Sequence, residues 1–233
     1  YSTPASYLIM GITVGLLIGV GMLACWWGLR RTTILHPAET EPSLKMQFQV
    51  ARSNPTFRNL LGTFFLQALA TSAMLAGAQY FSTYVLGNQG INSILFVCLV
   101  APSIIVVPLW AKVANRLGKK RGYLLSSLCF LAGTLLLLSA RVVPLAASLA
   151  FVALCGIGYA GMQMFPLSML PDAIAVDAAE SGKRRAGAYT GFWTAGETTG
   201  FAIGPALVLA LLGVSGFVSS TANEVVVQPE SAI

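Results

Sequence analysis

Four residues in the C-terminal third of the chain have the types and the spacing of a polar ligand site. Glu197 lies within the apolar stretch GFWTAGETTGFAIGPA. At helical spacing, Trp193 and Thr194 share a face with Glu197 and Thr198. An acid and two hydroxyls can hydrogen-bond a polar ligand, while an indole packs on its apolar faces. The alternative is that Glu197 hydrogen-bonds a neighbouring helix and contacts no ligand.

A second set of polar residues occurs in two other apolar segments. Gln67, Tyr80 and Tyr84 lie in one of them, and Gln163 lies in another. A polar stripe on a membrane helix lines a cavity or bonds another helix, and for these glutamines and tyrosines we interpret it as cavity lining. The sequence has no HExxH, GxSxG or phosphate-binding loop, a single histidine and four cysteines without a CxxC pair. We therefore expect neither an enzyme, nor a catalytic residue, nor a metal site.

The stretch SMLPDAIAVDAAESGKRRAGAYTG, residues 168–191, concentrates charge in a chain that has little of it. Three acids precede three consecutive basic residues: Asp172, Asp177, Glu180, Lys183, Arg184 and Arg185. We expect these acids to face the basic residues across a short loop. Ion pairs in water are worth only about 0–1 kcal/mol, so stability is a weak reason for them. Two other reasons stay open: the charges hold the loop on one side of a membrane, or they bias a conformational equilibrium.

The composition indicates that a membrane positions these residues. Of the 233 residues, 56% are hydrophobic and 9% are charged, whereas soluble domains carry about 25% charged residues. Apolar runs of about 20 residues are typical of membrane-spanning helices. Six such runs predict an all-α membrane protein with spans at Tyr7–Leu29, Leu60–Leu86, Ile94–Ala111, Tyr123–Ala140, Val142–Phe165 and Ala188–Leu212.

The basic residues support this topology. If all six runs span, 13 of the 14 Lys and Arg residues fall on one side, and Arg141 is alone on the other. Such an asymmetry is typical of membrane proteins, whose basic loops stay in the cytoplasm. The net charge of +6 therefore has a topological explanation, and we expect no nucleic-acid partner.

Several motifs resemble one transporter family. SMLPD, a further Asp five residues later, and SGKRRAGAYTGFWTAGETTGFAIG resemble the glycoside–pentoside–hexuronide:cation symporters, the melibiose permease-like family of the major facilitator superfamily. NPTFRNLL with YFSTYVLG is similar to the family's seventh helix, and PLWAKVANRLGKKRGY to its loop between helices eight and nine. The resemblance implies that residues 1–31 are helix six, 32–59 the cytoplasmic loop between halves, 60–218 helices seven to eleven, and 219–233 an extracytoplasmic segment before a last helix that is missing here.

The resemblance also implies a function. We expect a secondary active transporter, a cation-coupled symporter of a sugar or related polar solute that works by alternating access in the bacterial inner membrane. Its partners would be the lipid bilayer, the solute and the missing N-terminal helices. No cofactor is expected, and Na⁺ or H⁺ would be bound mainly by those helices. The expected substrate-binding residues are Trp193, Thr194, Glu197, Thr198, Gln163, Gln67, Tyr80 and Tyr84, and the expected gating residues are Asp172, Asp177, Lys183, Arg184, Arg185, Arg116 and Lys119.

The chain departs from the family pattern at two places. Asn115 stands where the family's loop has an Asp, and Thr198 stands where melibiose permease has a lysine. These departures weaken the expectation of ion coupling. Two alternatives also remain beside sugar symport. One is a lysolipid or amphiphile carrier of the same superfamily, and the other is a membrane scaffold or enzyme subunit.

Overall fold

The computed structural model describes residues 4–31, 48–49, 52, 54–182 and 185–218, and no strand occurs among them. The chain divides into two compact units, Tyr1–Glu41 and Pro42–Ile233. Helix α1, Pro4–Leu29, belongs to the first unit. At its end the Arg30 guanidinium lies 6.0 Å and 5.7 Å from the ring centroids of Trp26 and Trp27. Tryptophan and arginine together are typical of the boundary between membrane and water.

The second unit is a bundle of five helices. These are α2 (Pro55–Tyr80), extended by a π-helical segment (Phe81–Val85), then α3 (Asn92–Leu117), α4 (Lys119–Leu137), α5 (Leu145–Ser181) and α6 (Ala186–Val214), with a short 3₁₀ turn at Gln89–Ile91 before α3. Among the described residues, five helices are long and apolar enough to cross a membrane, where the sequence predicted six. Helix α4 is the exception. It has only 19 residues and begins with three basic ones, so its apolar part is short.

The helices differ in their bounds from the predicted spans, most of all at the end of α5, and two of the differences have a local cause. Helix α2 begins at Pro55, within the predicted loop, because the Asn54 side chain accepts a 3.0 Å hydrogen bond from the Phe57 N–H and Pro55 occupies the first turn. Helix α5 continues 16 residues past the predicted end at Phe165 and stops where Gly182 takes the left-handed conformation.

The longer α5 corrects the expected arrangement of the charged stretch. Asp172, Asp177 and Glu180 lie on α5 itself and not in a loop. Only residues 182–185 separate α5 from α6. Alanine and glutamate favour helix in residues 173–181, so the chain continues as a helix although Asp177 and Glu180 interrupt the apolar run there.

Helix α5 is the centre of the bundle and packs against α3 and α4. Its glycines allow this close approach, since a Cβ at Gly156 would overlap the backbone of Leu99 in α3, and one at Gly158 would overlap the backbone of Phe130 in α4. Small residues are common where membrane helices pack, because backbones can come close there.

Helix α6 packs along α2 in a similar way. A Cβ at Gly200 would lie 2.9 Å from the Ala68 side chain, and one at Gly204 would overlap Ser72. The Ser72 hydroxyl also bonds the Gly200 carbonyl at 3.1 Å. The bundle therefore consists of a pair, α2 and α6, beside a group of three helices, and α2 contacts α5 and α3 in that group.

Candidate functional site

Two of the predicted site residues meet in the interior of the bundle. The Gln67 amide nitrogen on α2 donates a 3.0 Å hydrogen bond to the Gln163 side-chain oxygen on α5. Gln67 is only 4% exposed, whereas Gln163 is half-buried. The sequence placed the two residues on different helices, and the structure brings them together.

Two tyrosines extend this pair into a network across three helices. The Tyr123 hydroxyl on α4 donates to the Gln67 oxygen at 3.0 Å. The Gln163 nitrogen donates to the Tyr159 hydroxyl at 3.1 Å. We call Gln67, Tyr123, Tyr159 and Gln163 the glutamine network. Amides and hydroxyls both donate and accept hydrogen bonds, so the glutamine network can hold helices together or pair with the hydroxyls of a solute.

The glutamine network lies beside a cleft of about 790 Å³. The cleft is formed by the start of α2, the turn between α3 and α4, and the second half of α5, and Tyr123 lies on its wall. A single glycine, Gly118, makes that turn, with a φ of +83° that other residues rarely adopt. The cleft therefore extends from the end of the bundle inward as far as Tyr123, whose hydroxyl bonds Gln67.

The four residues predicted on α6 do not share one environment. Trp193 is 3% exposed and stacks on Phe64 of α2, with ring centroids 4.1 Å apart. Thr194 and Thr198 are exposed, and the Thr198 hydroxyl bonds the Thr194 carbonyl of its own helix at 2.9 Å. Successive residues differ by about 100° around a helix, so Trp193 and Thr198 are about 140° apart. The broad indole is covered by α2, and the threonines lie to one side of that contact.

Glu197 is half-buried beside Trp193. Its side chain makes no hydrogen bond or ion pair with any residue in the described part of the chain. The alternative in which Glu197 bonds a neighbouring helix is therefore not seen within residues 54–182 and 185–218. A carboxylate within an apolar helix is costly and is usually satisfied by a cation, a polar ligand or water.

The predicted tyrosines of α2 lie apart from the glutamines. Tyr80 and Tyr84 make edge contacts with Phe217, with centroids 5.4 Å and 5.3 Å apart. Tyr80 is 13 residues from Gln67, which is about 20 Å along a helix. These tyrosines and the glutamine network therefore do not form a single group.

Within the described part of the chain, one ion pair joins two of the predicted gating residues. The Lys119 Nζ atom lies 2.5 Å from Asp172 Oδ2 and donates a 2.9 Å hydrogen bond to the Ser168 carbonyl. Arg116 is exposed at the end of α3, Asp177 is half-buried on α5, and Arg185 precedes α6. The remaining two predicted gating residues, Lys183 and Arg184, lie outside the described residues.

Sequence reasoning missed Tyr123 and Tyr159. Tyr159 could have been found, because it precedes Gln163 by one helical turn. Tyr123 carries no such signal, since it reaches Gln67 only because α4 packs against α5, which also contacts α2. Within the described residues, no group of three or more His, Cys, Asp or Glu could hold a metal ion.

These features define an integral membrane protein built from long apolar helices with a polar interior. The family model described as MFS/sugar transport protein matches residues 1–233. The chain therefore belongs to the sugar transport family of the major facilitator superfamily, and the resemblance to melibiose permease-like proteins is confirmed.

Two relatives agree with this family. An uncharacterised symporter of Synechocystis sp. is 30% identical over 203 residues, which cover 84% of this chain and 37% of the relative. A glucuronide carrier protein homolog of Escherichia coli K12 is 25% identical over 182 residues, which cover 77% of this chain and 40% of the relative. The chain thus spans about two fifths of the length of the relatives that it matches.

Proposed function

We propose that this chain forms part of a cation-coupled symporter that carries a sugar or related polar solute across the bacterial inner membrane by alternating access. Its family and the symporter among its relatives support transport. The other relative is named a glucuronide carrier protein homolog, which supports a sugar-like solute. In this proposal all six helices span the membrane, α4 included, and the basic loops lie in the cytoplasm.

The observation that carries the proposal is the unpartnered carboxylate of Glu197 within an apolar helix. It lies on α6, a helix long and apolar enough to cross a membrane, and its half-buried carboxylate has no partner among the described residues. An acid kept in such a place needs a counter-charge or a hydrogen-bond donor. A coupling cation supplies the first, and a solute hydroxyl supplies the second.

The experiment is Glu197→Gln in the full-length transporter. Glutamine keeps the shape of the side chain and removes its charge. Losing a charged hydrogen bond to a ligand costs about 1.5–3 kcal/mol, which is more than tenfold in affinity. We expect that loss in solute affinity, or a changed dependence of uptake on Na⁺ or pH. The probes are a radiolabelled glucuronide, an uncharged methyl glycoside and a lysophospholipid, each with and without an ion gradient.

Thr199→Val is the matched control. Thr199 is exposed on α6, and its hydroxyl bonds the Ala195 carbonyl of its own helix at 2.6 Å. This variant should keep wild-type uptake. Unchanged affinity and unchanged ion dependence in Glu197→Gln would remove Glu197 from the site.

A second candidate function is the transport of an amphiphile. An almost entirely apolar cavity of about 280 Å³ lies between α2, α3, α4 and α5. It is lined by Met74, Leu75, Gly77, Ala78, Phe81, Leu95, Phe96, Leu99, Leu137, Val152 and Cys155. Such a cavity suits an alkyl chain better than a sugar. Uptake of the lysophospholipid without uptake of either glycoside would favour this candidate.

A further inference from the structure

The outer part of the 790 Å³ cleft combines cations with apolar side chains. Three consecutive basic residues, Lys119, Lys120 and Arg121, form one wall at the start of α4. Apolar side chains form much of the rest: Leu60, Leu117, Met169 and Val176. A cleft with both kinds of wall suits a molecule that has an anionic head and a hydrocarbon tail.

The charge at this end of the bundle is not balanced. The sequence contains no Asp or Glu from residue 42 to residue 171. Asp172 is the one carboxylate among the described residues of the cleft wall, and it forms an ion pair with Lys119. Lys120 and Arg121 are exposed, and neither forms an ion pair with any residue of the described ranges. Within the described residues, Lys120 and Arg121 therefore have no acidic partner and could bind an anion.

The backbone adds to this positive potential. Helix α4 begins at Lys119 directly after Gly118, and no side chain caps its first turn. The first N–H groups of a helix lack partners within the helix and carry partial positive charge. In α4 the residues that carry these N–H groups, Lys119, Lys120 and Arg121, line the cleft, so both sources of positive charge lie at the same end of α4.

We propose that this cleft binds the headgroup phosphate of an anionic phospholipid. Lys120 and Arg121 contact the phosphate, and the acyl chains lie along Leu117 and the other apolar wall residues. The position supports a lipid rather than a soluble anion, because α3 is a membrane-capable helix that ends at Leu117, a residue 46% exposed beside the cations. Basic pockets between membrane helices near the water boundary are suited to anionic headgroups. The proposal is independent of the solute that is carried.

The test measures lipid binding to the full-length transporter in a neutral detergent by native mass spectrometry. The probes are phosphatidylglycerol and phosphatidylcholine with identical acyl chains. We expect the wild type to retain phosphatidylglycerol in preference to phosphatidylcholine. Each cation near a headgroup contributes about fivefold in affinity, so the double variant Lys120→Gln/Arg121→Gln should bind phosphatidylglycerol roughly thirtyfold more weakly. Both residues are exposed, so the fold should be retained, and thermal unfolding checks this.

Two controls make the test specific. Arg141→Gln removes an exposed arginine just beyond the opposite end of α4 and should leave lipid binding unchanged. The charge-preserving variant Lys120→Arg/Arg121→Lys should keep most of the preference.

Four results would overturn the proposal. They are equal retention of the two lipids by the wild type, unchanged binding in the double glutamine variant, an equal loss in Arg141→Gln, and displacement of the lipid by millimolar inorganic phosphate. The last would show a site for free anions instead of a lipid site.

Discussion

The sharpest prediction concerns the buried side chain of Gln67. Replacing Gln67 by leucine keeps its approximate size but removes its hydrogen bonds to Gln163 and Tyr123. Because Gln67 is only 4% exposed, water does not readily replace those partners. Gln163 would keep its bond to the Tyr159 hydroxyl, and its side-chain oxygen would lose its partner.

The size of the effect can be worked out from these contacts. Side-chain hydrogen bonds between membrane helices contribute about 0.6 kcal/mol on average and up to about 1.7 kcal/mol. Leaving a buried acceptor unpaired costs about 1–3 kcal/mol. Gln67→Leu should therefore lower the free energy of unfolding by about 2 kcal/mol. When Gln163 is also replaced by leucine, the unpaired Gln163 oxygen is gone, so the double variant should be about 1 kcal/mol more stable than the sum of the single variants predicts.

The assay is reversible unfolding of the full-length transporter in mixed micelles with SDS, applied to a double-mutant cycle of Gln67→Leu and Gln163→Leu. The control is Gln79→Leu on the same helix. Gln79 is exposed, and its side-chain oxygen accepts a 2.7 Å bond from Asn92, so its loss should cost less than about 0.5 kcal/mol. Additive effects in the cycle, or a Gln67→Leu cost as small as that of Gln79→Leu, would refute the bond between the glutamines.

Two further predictions concern topology and gating. Single cysteines are placed at Asn88 and Glu180 in a background without native cysteines and labelled with a membrane-impermeant maleimide. They should react from opposite sides of the membrane, because α3, α4 and α5 lie between them. Labelling from the same side would show that α4 does not span the membrane. Lys119→Gln or Asp172→Asn breaks an ion pair whose side chains are 40% and 59% exposed. Uptake should therefore change by at most about fivefold, and equilibrium solute binding by less than twofold. Loss of solute binding in a folded variant would place the pair in the solute site instead of a gate.

The predictability of the site differs from residue to residue. Gln67 and Gln163 could be singled out from sequence, because an amide is unusual within an apolar run. Their hydrogen bond could not, since 96 residues separate them and the packing of α2 beside α5 decides it. For Tyr123 the sequence predicts neither a polar site nor the contact with another helix. Its own segment gives no reason to place it in a polar site.

Trp193 shows why residues that share one face of a helix do not by themselves predict a ligand site. Its spacing to Glu197 is correct for a shared side of α6. However, Phe64 of α2 covers the indole, and burying two stacked rings in an apolar contact stabilises the bundle more than leaving one exposed. Glu197 lies next to that contact without a described partner.

The amino-acid sequence alone is enough to recognise a helical membrane protein of the sugar transport family. Apolar runs of about 20 residues and one-sided basic residues have few other physical explanations, and the family motifs are local in sequence. Two other features depend on how the helices pack: Asp172 pairs with Lys119, and three helices join through the glutamine network. Helical periodicity shows which residues share a face of one helix, but the neighbouring helices determine whether that face meets a partner, a cavity or the lipid.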